Sequence, residues 1–313
     1  MLLPAFVLPL LLAATPPALP SVDRTVLAMG TELRIHFEGP HHLAQATVAA
    51  LAEETRIEAA CSTWDPASDW SRLNAAQGQP VALAPEWLAL LGSVQAWSHA
   101  TEGAFDPVLG ALVQAWGLRR GGPSPTSETL AQARQAAGVR LLLLDPAKGT
   151  AQLQHARAGL EEGGFLKGYA LDAMRRVSGT PAGWLDFGGQ LLAWGKPLTV
   201  EVADPVDRRR SSLSLSLQDA SLSCSGTSER GRHILNPHTG LPSPAWGSTA
   251  VVAADGLTAD VLSTALYVMG PEQGLVWADH HGVAAAFLLK GGSVRMSAAF
   301  RALNPTTLNT EPQ

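Results

Sequence analysis

The order of hydrophobic patterns along the chain limits its architecture more than any single motif does. Residues 31–37 alternate apolar and polar side chains, as a strand with one solvated face does, whereas residues 43–60 are alanine-rich and helical. Strand and helix segments follow one another irregularly, without the repeated strand–helix–strand period of a doubly wound sheet. The sequence therefore predicts an α+β fold.

Later segments continue this mixed pattern. Pro85 is expected to open a second helix at its first turn, with an apolar stripe from Trp87 to Trp97 that packs into the core. A third helix is expected over residues 128–137, after a glycine- and proline-rich stretch, residues 119–127, that would be a loop between lobes or a mobile flap. Strand patterns recur at residues 139–145, 183–187, 198–202, 213–217, 248–253 and 283–289.

Composition narrows the class of protein. A chain of 313 residues with 46% hydrophobic and 16% charged residues suits a compact globular protein, either one large domain or two intimate lobes. The net charge of -5, without a basic run, argues against nucleic acid as a partner. Cys61 and Cys224 permit one disulfide but do not require it, and we expect both to be buried thiols.

The two ends of the chain differ from its body. The apolar stretch within residues 2–14 is shorter than the roughly 20 residues of a membrane span, and Pro4 and Pro9 disfavour a regular helix. Residues 1–20 are therefore predicted to be a signal peptide of an exported protein, the alternative being a start site set too far upstream of a cytoplasmic protein. Residues 304–313 are polar and are predicted to form a flexible tail.

Two motifs suggest phosphate chemistry. Asp260 and Thr264 are four residues apart, so on a helix their oxygen atoms would share one face and could hold a hard cation. Gly163 and Gly164 precede Lys167 in what resembles a glycine turn feeding a helix, where exposed amides suit a phosphate group and the lysine adds a charge. The glycine spacing differs from that of a Walker loop, and no Ser or Thr follows the lysine.

Four further motifs each allow a structural and a functional interpretation. Trp64 could stack on a flat ring or be half-buried for packing, and Asp106 could bind a ligand or cap a turn. Gly30, after Met29, could admit a ligand or simply form a turn, and His233 could be catalytic or structural.

The order in which these motifs follow one another resembles the ApbE family of FAD:protein FMN transferases. The motifs that carry the resemblance run from Met29 to about Gly270 and are Met29-Gly30-Thr31, Ser62–Asn74, Gly103–Pro107, Gly163–Asp172, Phe187–Gly189, Ser225-Gly226, His233–Gly240 and Asp260–Thr264. The resemblance implies one large α+β unit over residues 21–303, with two intimate lobes and a flavin cleft between them. It also implies export to the periplasm, with association with the inner membrane as a further expectation.

The resemblance also implies a reaction and roles for individual residues. The enzyme would depend on magnesium and move FMN from FAD to a Thr or Ser hydroxyl of an acceptor protein, expected to be a membrane-associated redox protein, releasing AMP. His233 would be the base that takes the proton of the attacking hydroxyl. The residues expected to bind FAD are Met29, Trp64, Ala104, Phe105, Asp106, Gly163 and Lys167, and those expected to bind the metal are Asp260, Ser263, Thr264 and the carbonyl of Leu166.

The chain departs from the family pattern in three places. Glu161-Glu162 stands where relatives commonly have Asp-Leu, Leu166 replaces a small residue, and Asn236 and His238 replace a usual Asp and a frequent Arg. Two alternatives to the transferase therefore stay open. One is an FAD pyrophosphatase that uses water at the same site and yields FMN and AMP, and the other is a non-catalytic FAD-binding protein of the cell envelope.

Overall fold

The computed structural model describes residues 19–228, 231 and 233–308, so the predicted signal peptide lies almost entirely outside the described residues. The helices of the described part are α1 (Leu43–Cys61), α2 (Asp69–Ala75), α3 (Pro85–Ala100), α4 (Gly110–Ala115), α5 (Ser127–Gln135), α6 (Leu166–Ser178), α7 (Gly256–His281) and α8 (Ala298–Arg301). Its strands are β1 (Ser21–Ala28), β2 (Thr31–Glu38), β3 (Val81–Ala82), β4 (Leu142–Asp145), β5 (Thr150–Leu153), β6 (Ala182–Asp186), β7 (Gln190–Trp194), β8 (Leu198–Ala203), β9 (Ser211–Leu217), β10 (Ala220–Gly226), β11 (Gly247–Ala253), β12 (Ala284–Leu289), β13 (Val294–Met296) and β14 (Thr306–Thr307).

A large antiparallel sheet organises the molecule. Its eight strands lie in the order β1-β2-β6-β7-β10-β11-β12-β13, and every neighbouring pair is antiparallel. Two three-stranded sheets, β14-β9-β8 and β3-β5-β4, accompany it. Antiparallel pairing without strand–helix–strand crossovers of the parallel type confirms the predicted α+β class.

Both faces of the large sheet are covered at its centre. Val251 and Phe287 point toward α7, where they pack with Leu262 of that helix. The adjacent residues Ala250 and Leu288 point to the opposite face and pack against β8 and β9. Because successive side chains of a strand alternate between faces, burial on both faces explains why β12 is apolar throughout rather than alternating.

The helices pack mainly against the α7 side of the sheet. Helix α6 lies between α1 and α7, and α3 begins at Pro85 as predicted. Most of the apolar stripe predicted for α3 is buried, including Trp87 and Val94. None of the helices in the described ranges is both long and apolar enough to span a membrane.

Four local features differ from the sequence predictions. Residues Val139–Leu141 form a 3-10 turn rather than the start of a strand, because Gly138 has a φ of 107° and the Asp106 carboxylate accepts a hydrogen bond from the Val139 amide. The third helix spans Ser127–Gln135 rather than 128–137. Thr306 and Thr307 pair with β9, although residues 304–313 were predicted to be a tail, and residues 309–313 lie outside the described part. Cys61 is buried as expected, but Cys224 is exposed.

Candidate active site

A cleft of about 580 Å³ lies beside the first turns of α6 and α7. This volume lies within the usual range for sites that bind cofactors and other small molecules. Its lining comes from residues 104–106, 161–164, 188–191, 200–205, 222–226 and 233–235, together with Trp64, Arg119, Lys167, Arg208, Asp260 and Thr264.

Two glycines allow α6 and α7 to approach each other closely at the cleft. A Cβ atom at Gly168 would lie 2.1 Å from the Gly256 carbonyl oxygen, and one at Gly256 would lie 2.3 Å from the Gly168 carbonyl oxygen. Each helix also supplies a carboxylate to the first turn of the other. The Gly168 amide donates to Asp260 at 3.0 Å, and the Gly256 amide donates to Asp172 at 2.7 Å. This crossing fixes Asp260 beside the glycine turn.

Asp260 presents an unsatisfied oxygen to the cleft. The side chain is only 5% exposed, and Oδ2 accepts the hydrogen bond from Gly168. Within the described residues, Oδ1 has no hydrogen-bond partner. Burial raises the pKa of Asp260, whereas the Lys167 ammonium and the Gly168 amide act in the opposite direction. A positive charge bound at Oδ1 would relieve the cost of a buried carboxylate.

Thr264 and Ser263 have different environments although they are adjacent on α7. Thr264 lines the cleft, as expected for residues four apart on one helix face, and its hydroxyl is 3.3 Å from Ser225 Oγ. Ser263 is fully buried and does not line the cleft. Its hydroxyl donates to the Asp260 carbonyl and lies 2.9 and 2.8 Å from the hydroxyls of Ser223 and Ser225. Ser263 thus helps to hold β10 against α7, and its predicted role as a metal ligand stays a prediction.

The glycine turn before α6 comes close to Thr264. Leu166 is buried as the first residue of α6 and does not line the cleft. Gly164 does line it, and a Cβ atom there would lie 3.2 Å from Thr264 Oγ1. The backbone of Gly164 therefore lies close to Thr264, and the absence of a side chain is what permits the approach. The predicted contact between the metal and the Leu166 carbonyl stays a prediction.

The predicted glycine turn opens α6 toward the cleft. Gly163, Gly164 and Lys167 all line the cleft, as expected, and the helix begins at Leu166. The positive end of the helix dipole and the lysine together attract an anionic group. The turn and the Asp260–Thr264 pair thus bring anion-binding and cation-binding groups to the same end of the cleft.

The acidic pair Glu161-Glu162 forms part of one wall and is held by neighbouring groups. The Glu162 carboxylate accepts hydrogen bonds from the Thr63 amide and hydroxyl. Glu161 pairs with Arg119, whose guanidinium also donates to the Thr63 carbonyl at 2.6 Å and lies 4.5 Å from the Trp64 ring centroid. The two acids thus join the loop before α2 to the stretch that follows α4.

This wall has an unusual electrostatic balance. Burial, followed by the charge of Glu162, raises the pKa of Glu161 to about 7, although Arg119 opposes the shift. Trp64 itself is 63% exposed, so one side of the indole faces solvent at the cleft. A flat ring that enters the cleft could stack on the Trp64 indole. The Arg119 guanidinium, which lies over the same indole, would then have to share that face with the ring or move away from it.

The Ala104-Phe105-Asp106 segment lines the cleft, but the Asp106 carboxylate is already engaged. Its two oxygens accept from the amides of Val108 and Val139, each at 2.7 Å. Asp106 therefore shapes the backbone of this segment, which is the structural alternative for this residue. Met29 packs against the main core with a φ of 45° and does not line the cleft, so its contact with FAD stays a prediction.

His233 lies at the cleft with a defined ring orientation. Its Nδ1 is 3.1 Å from the Gly231 carbonyl, which can only accept, so Nδ1 donates in this contact. Asn236 does not line this cleft, and its side-chain oxygen accepts from the amides of His238 and Thr239. Asn236, where relatives usually have Asp, therefore removes a negative charge from a turn and not from the cleft wall.

No site role was predicted from the sequence for several residues that the fold brings to the cleft. They include Arg119, Gln190, Cys224, Ser225 and Arg208, the last from the connection between β8 and β9. Gln190 directly follows the Gly188-Gly189 pair of the family motif. The glycines gave no indication of a role for Gln190.

Comparisons with known proteins agree with the geometry of this cleft. The profile of the ApbE family matches residues 29–288, which is most of the chain. This chain belongs to the ApbE family. A protein of Haemophilus influenzae named FAD:protein FMN transferase is 25% identical, in an alignment that covers 89% of this chain and 90% of that protein. A protein of Klebsiella pneumoniae with the same name is 28% identical and is covered to 88%.

Solved structures of ApbE proteins share the fold. The crystal structure of the ApbE protein of Thermotoga maritima has a TM-score of 0.85 and 26% identity, covering 91% of this chain and 99% of that one. The apo flavinyl transferase ApbE of Pseudomonas stutzeri has a TM-score of 0.83 and 25% identity, covering 93% and 99%. In this ApbE protein, therefore, the arrangement of α6, α7 and the large sheet is that of the family.

Proposed function

We propose that this chain is a magnesium-dependent FAD:protein FMN transferase. The observation that carries the proposal is the meeting of the open Asp260 oxygen and the Thr264 hydroxyl with the glycine turn and Lys167, at one end of a cleft large enough for a cofactor. Membership in the ApbE family and the names of the relatives support flavin transfer as the reaction.

The oxygen-rich end of the cleft fits magnesium. Asp260 offers a carboxylate oxygen without a hydrogen-bond partner in the described part of the chain, Thr264 offers a hydroxyl, and the Gly164 backbone adjoins Thr264. Magnesium prefers such hard oxygen ligands together with substrate phosphates. When bound, it would neutralise the negative charge that builds on the diphosphate oxygens during transfer.

The residues of the chain supply positioning and proton transfer. The amides of the glycine turn and the Lys167 ammonium would hold the diphosphate, and the face of Trp64 would hold a flat ring. His233 would take the proton of an acceptor hydroxyl as the hydroxyl oxygen forms a bond to the phosphorus of FMN. The bond from that phosphorus to the AMP oxygen breaks, and AMP leaves with the bonding electron pair.

The acceptor and the location follow as parts of the same proposal. The acceptor would carry a Thr or Ser in an accessible segment, because the attacking group is a side-chain hydroxyl. Export to the periplasm is proposed from the apolar segment at residues 1–20, and a membrane-associated redox protein is proposed as the acceptor from the resemblance to the family.

The proposal is tested on residues 21–313 incubated with FAD and magnesium, with and without a threonine-bearing acceptor domain. AMP is followed by chromatography and the acceptor by mass spectrometry. We expect a mass gain of one FMN that matches AMP release in amount. AMP without modification of the acceptor would instead indicate the pyrophosphatase, and FAD binding without either product would indicate a non-catalytic flavin binder.

A matched pair of variants on α7 tests the metal site. Asp260→Asn keeps an oxygen for the Gly168 amide but removes the charge, so we expect at least about a hundredfold loss of magnesium-dependent turnover. Glu272→Ala is the control, because its side chain is 73% exposed and its ion pair with Arg295 is at the surface. Full activity of Asp260→Asn, with Glu272→Ala also active, would remove Asp260 from the proposed metal site.

A further inference from the structure

Gln190 has a buried polar atom that nothing in the described protein satisfies. The side chain is 1% exposed, and its carboxamide oxygen has no hydrogen-bond partner within the described residues. Several other buried side-chain atoms in the described part lack partners, but none of their residues lines the main cleft. Gln190 therefore combines an unsatisfied acceptor with a place at the binding site.

The orientation of the amide group is fixed by its partners. Gln190 Nε2 donates to the Gly256 carbonyl at 3.1 Å and to Ser221 Oγ at 3.0 Å. The carbonyl of Gly256 can only accept, so the nitrogen must face it, and exchanging the nitrogen and oxygen would set two acceptors against each other. The unsatisfied atom is thus the oxygen.

The position of Gln190 links this oxygen to the machinery of the site. Gln190 begins β7 directly after Gly188-Gly189 and pairs with Ser223 of β10, next to Cys224 and Ser225, which line the cleft. Gly256, its other partner, is the first residue of α7 and crosses Gly168. The amide is therefore held rigidly by the same crossing that positions Asp260.

A buried acceptor without a partner is costly in the free protein, by the full desolvation penalty of the group. A ligand that donates a hydrogen bond to the buried acceptor restores the missing interaction. No further free energy is needed to remove water from the acceptor, because it is already buried in the free protein. Such a donor would consequently add more to binding than an equivalent hydrogen bond at an exposed position.

We propose that the carboxamide oxygen of Gln190 accepts a hydrogen bond from an N–H or O–H group of the bound dinucleotide, which makes Gln190 a substrate-binding residue. The inference rests on the proposed function, because FAD is the ligand invoked. The donors that FAD can offer are the N3–H of the flavin ring, the adenine amino group and the hydroxyls of the ribityl and ribose units.

The test compares Gln190→Met with Ser221→Ala. Methionine is similar in size but lacks the acceptor, whereas Ser221→Ala removes one partner of Nε2 and leaves the oxygen in place. FAD affinity is measured by fluorescence titration, and the free energy of unfolding is measured without FAD. We expect Gln190→Met to weaken FAD binding about tenfold and Ser221→Ala to change it less than about twofold.

A structural role would give a different pattern. If Gln190 only stabilised the fold, Gln190→Met and Ser221→Ala would both lower the free energy of unfolding, and FAD affinity would stay within about twofold of the wild type in both, which would overturn the proposal. Gln190→Asn, which withdraws the oxygen by one methylene while keeping an amide, decides the question in the same way if Gln190→Met does not fold.

Analogues of FAD then locate the donor. An N3-methyl flavin and a dinucleotide with unsubstituted purine in place of adenine each remove one donor. Weaker binding of one of them to the wild type but not to Gln190→Met identifies that donor. If Gln190→Met weakens FAD binding and neither analogue is affected, the donor is a hydroxyl. A wild-type protein that does not bind FAD overturns the proposed function together with this inference, whereas unaltered FAD binding by Gln190→Met overturns the inference alone.

Discussion

Gly168→Ala would test whether the close crossing of α6 and α7 builds the site. The new Cβ atom would lie 2.1 Å from the Gly256 carbonyl oxygen and 2.8 Å from Asp260 Cβ. Real Cβ contacts essentially never fall below 3.0 Å, so the two helix starts must separate by about 0.9 Å or more. The atoms in the way belong largely to the backbone and cannot rotate aside.

The magnitude follows from three contributions. Overpacking of this kind costs about 1–3 kcal/mol, and weakening a buried amide–carboxylate hydrogen bond, such as that from Gly168 to Asp260, costs about 1.5–3 kcal/mol. Alanine regains about 1 kcal/mol because it is a better helix former than glycine. We expect the free energy of unfolding to fall by about 1.5–5 kcal/mol and magnesium-dependent FAD turnover to be largely lost, since Asp260 moves with the helix.

Urea unfolding, followed by circular dichroism, measures this change. Gly92→Ala in α3 is the matched control, because a Cβ atom there would meet Leu144 Cδ1 at an ordinary 3.8 Å, and the substitution should raise stability by about 0.5–1 kcal/mol. The reasoning is refuted if Gly168→Ala is as stable as the wild type, or if it retains full turnover despite lower stability.

Two further predictions concern titration and thiol reactivity. The pKa of Glu161 is raised from 4.5 to about 7, chiefly by burial. Between these pH values Glu161 is protonated in the folded state and ionised in the unfolded state. Its contribution to the free energy of unfolding therefore decreases as pH rises from 4.5 to 7. Glu161→Gln should remove this decrease, and an unfolding profile parallel to that of the wild type across this range would contradict the prediction. Cys224 is exposed and lines the cleft, whereas Cys61 is buried and burial raises the pKa of its thiol. A thiol reagent should therefore modify one cysteine per folded chain, and saturating FAD should slow the reaction. Modification of both thiols at equal rates, or no effect of bound FAD, would count against this arrangement.

Local periodicity was sufficient to predict strands and helices that are buried on one face or on all sides. The alternation of residues 31–37 corresponds to β2, and the proline and apolar stripe of the second helix correspond to α3. Strand β10 was not predicted, because its buried positions include Ser221 and Ser223 rather than apolar residues. Those serines are buried only because Gln190 and Ser263 satisfy their hydroxyls, and partners so distant in sequence do not show in a local pattern.

The sequence by itself determined the chemistry available to this protein: a carboxylate and a hydroxyl four residues apart, a glycine turn before a lysine, and an order of motifs that is that of the ApbE family. Only the tertiary structure decided which of these groups meet. Asp260 reaches the Gly168 amide across 92 residues, Gly164 adjoins Thr264, and Met29 packs against the core. The physical reason is that spacing fixes which side chains share a helix face, whereas the approach of two helices depends on close packing between residues far apart in the chain.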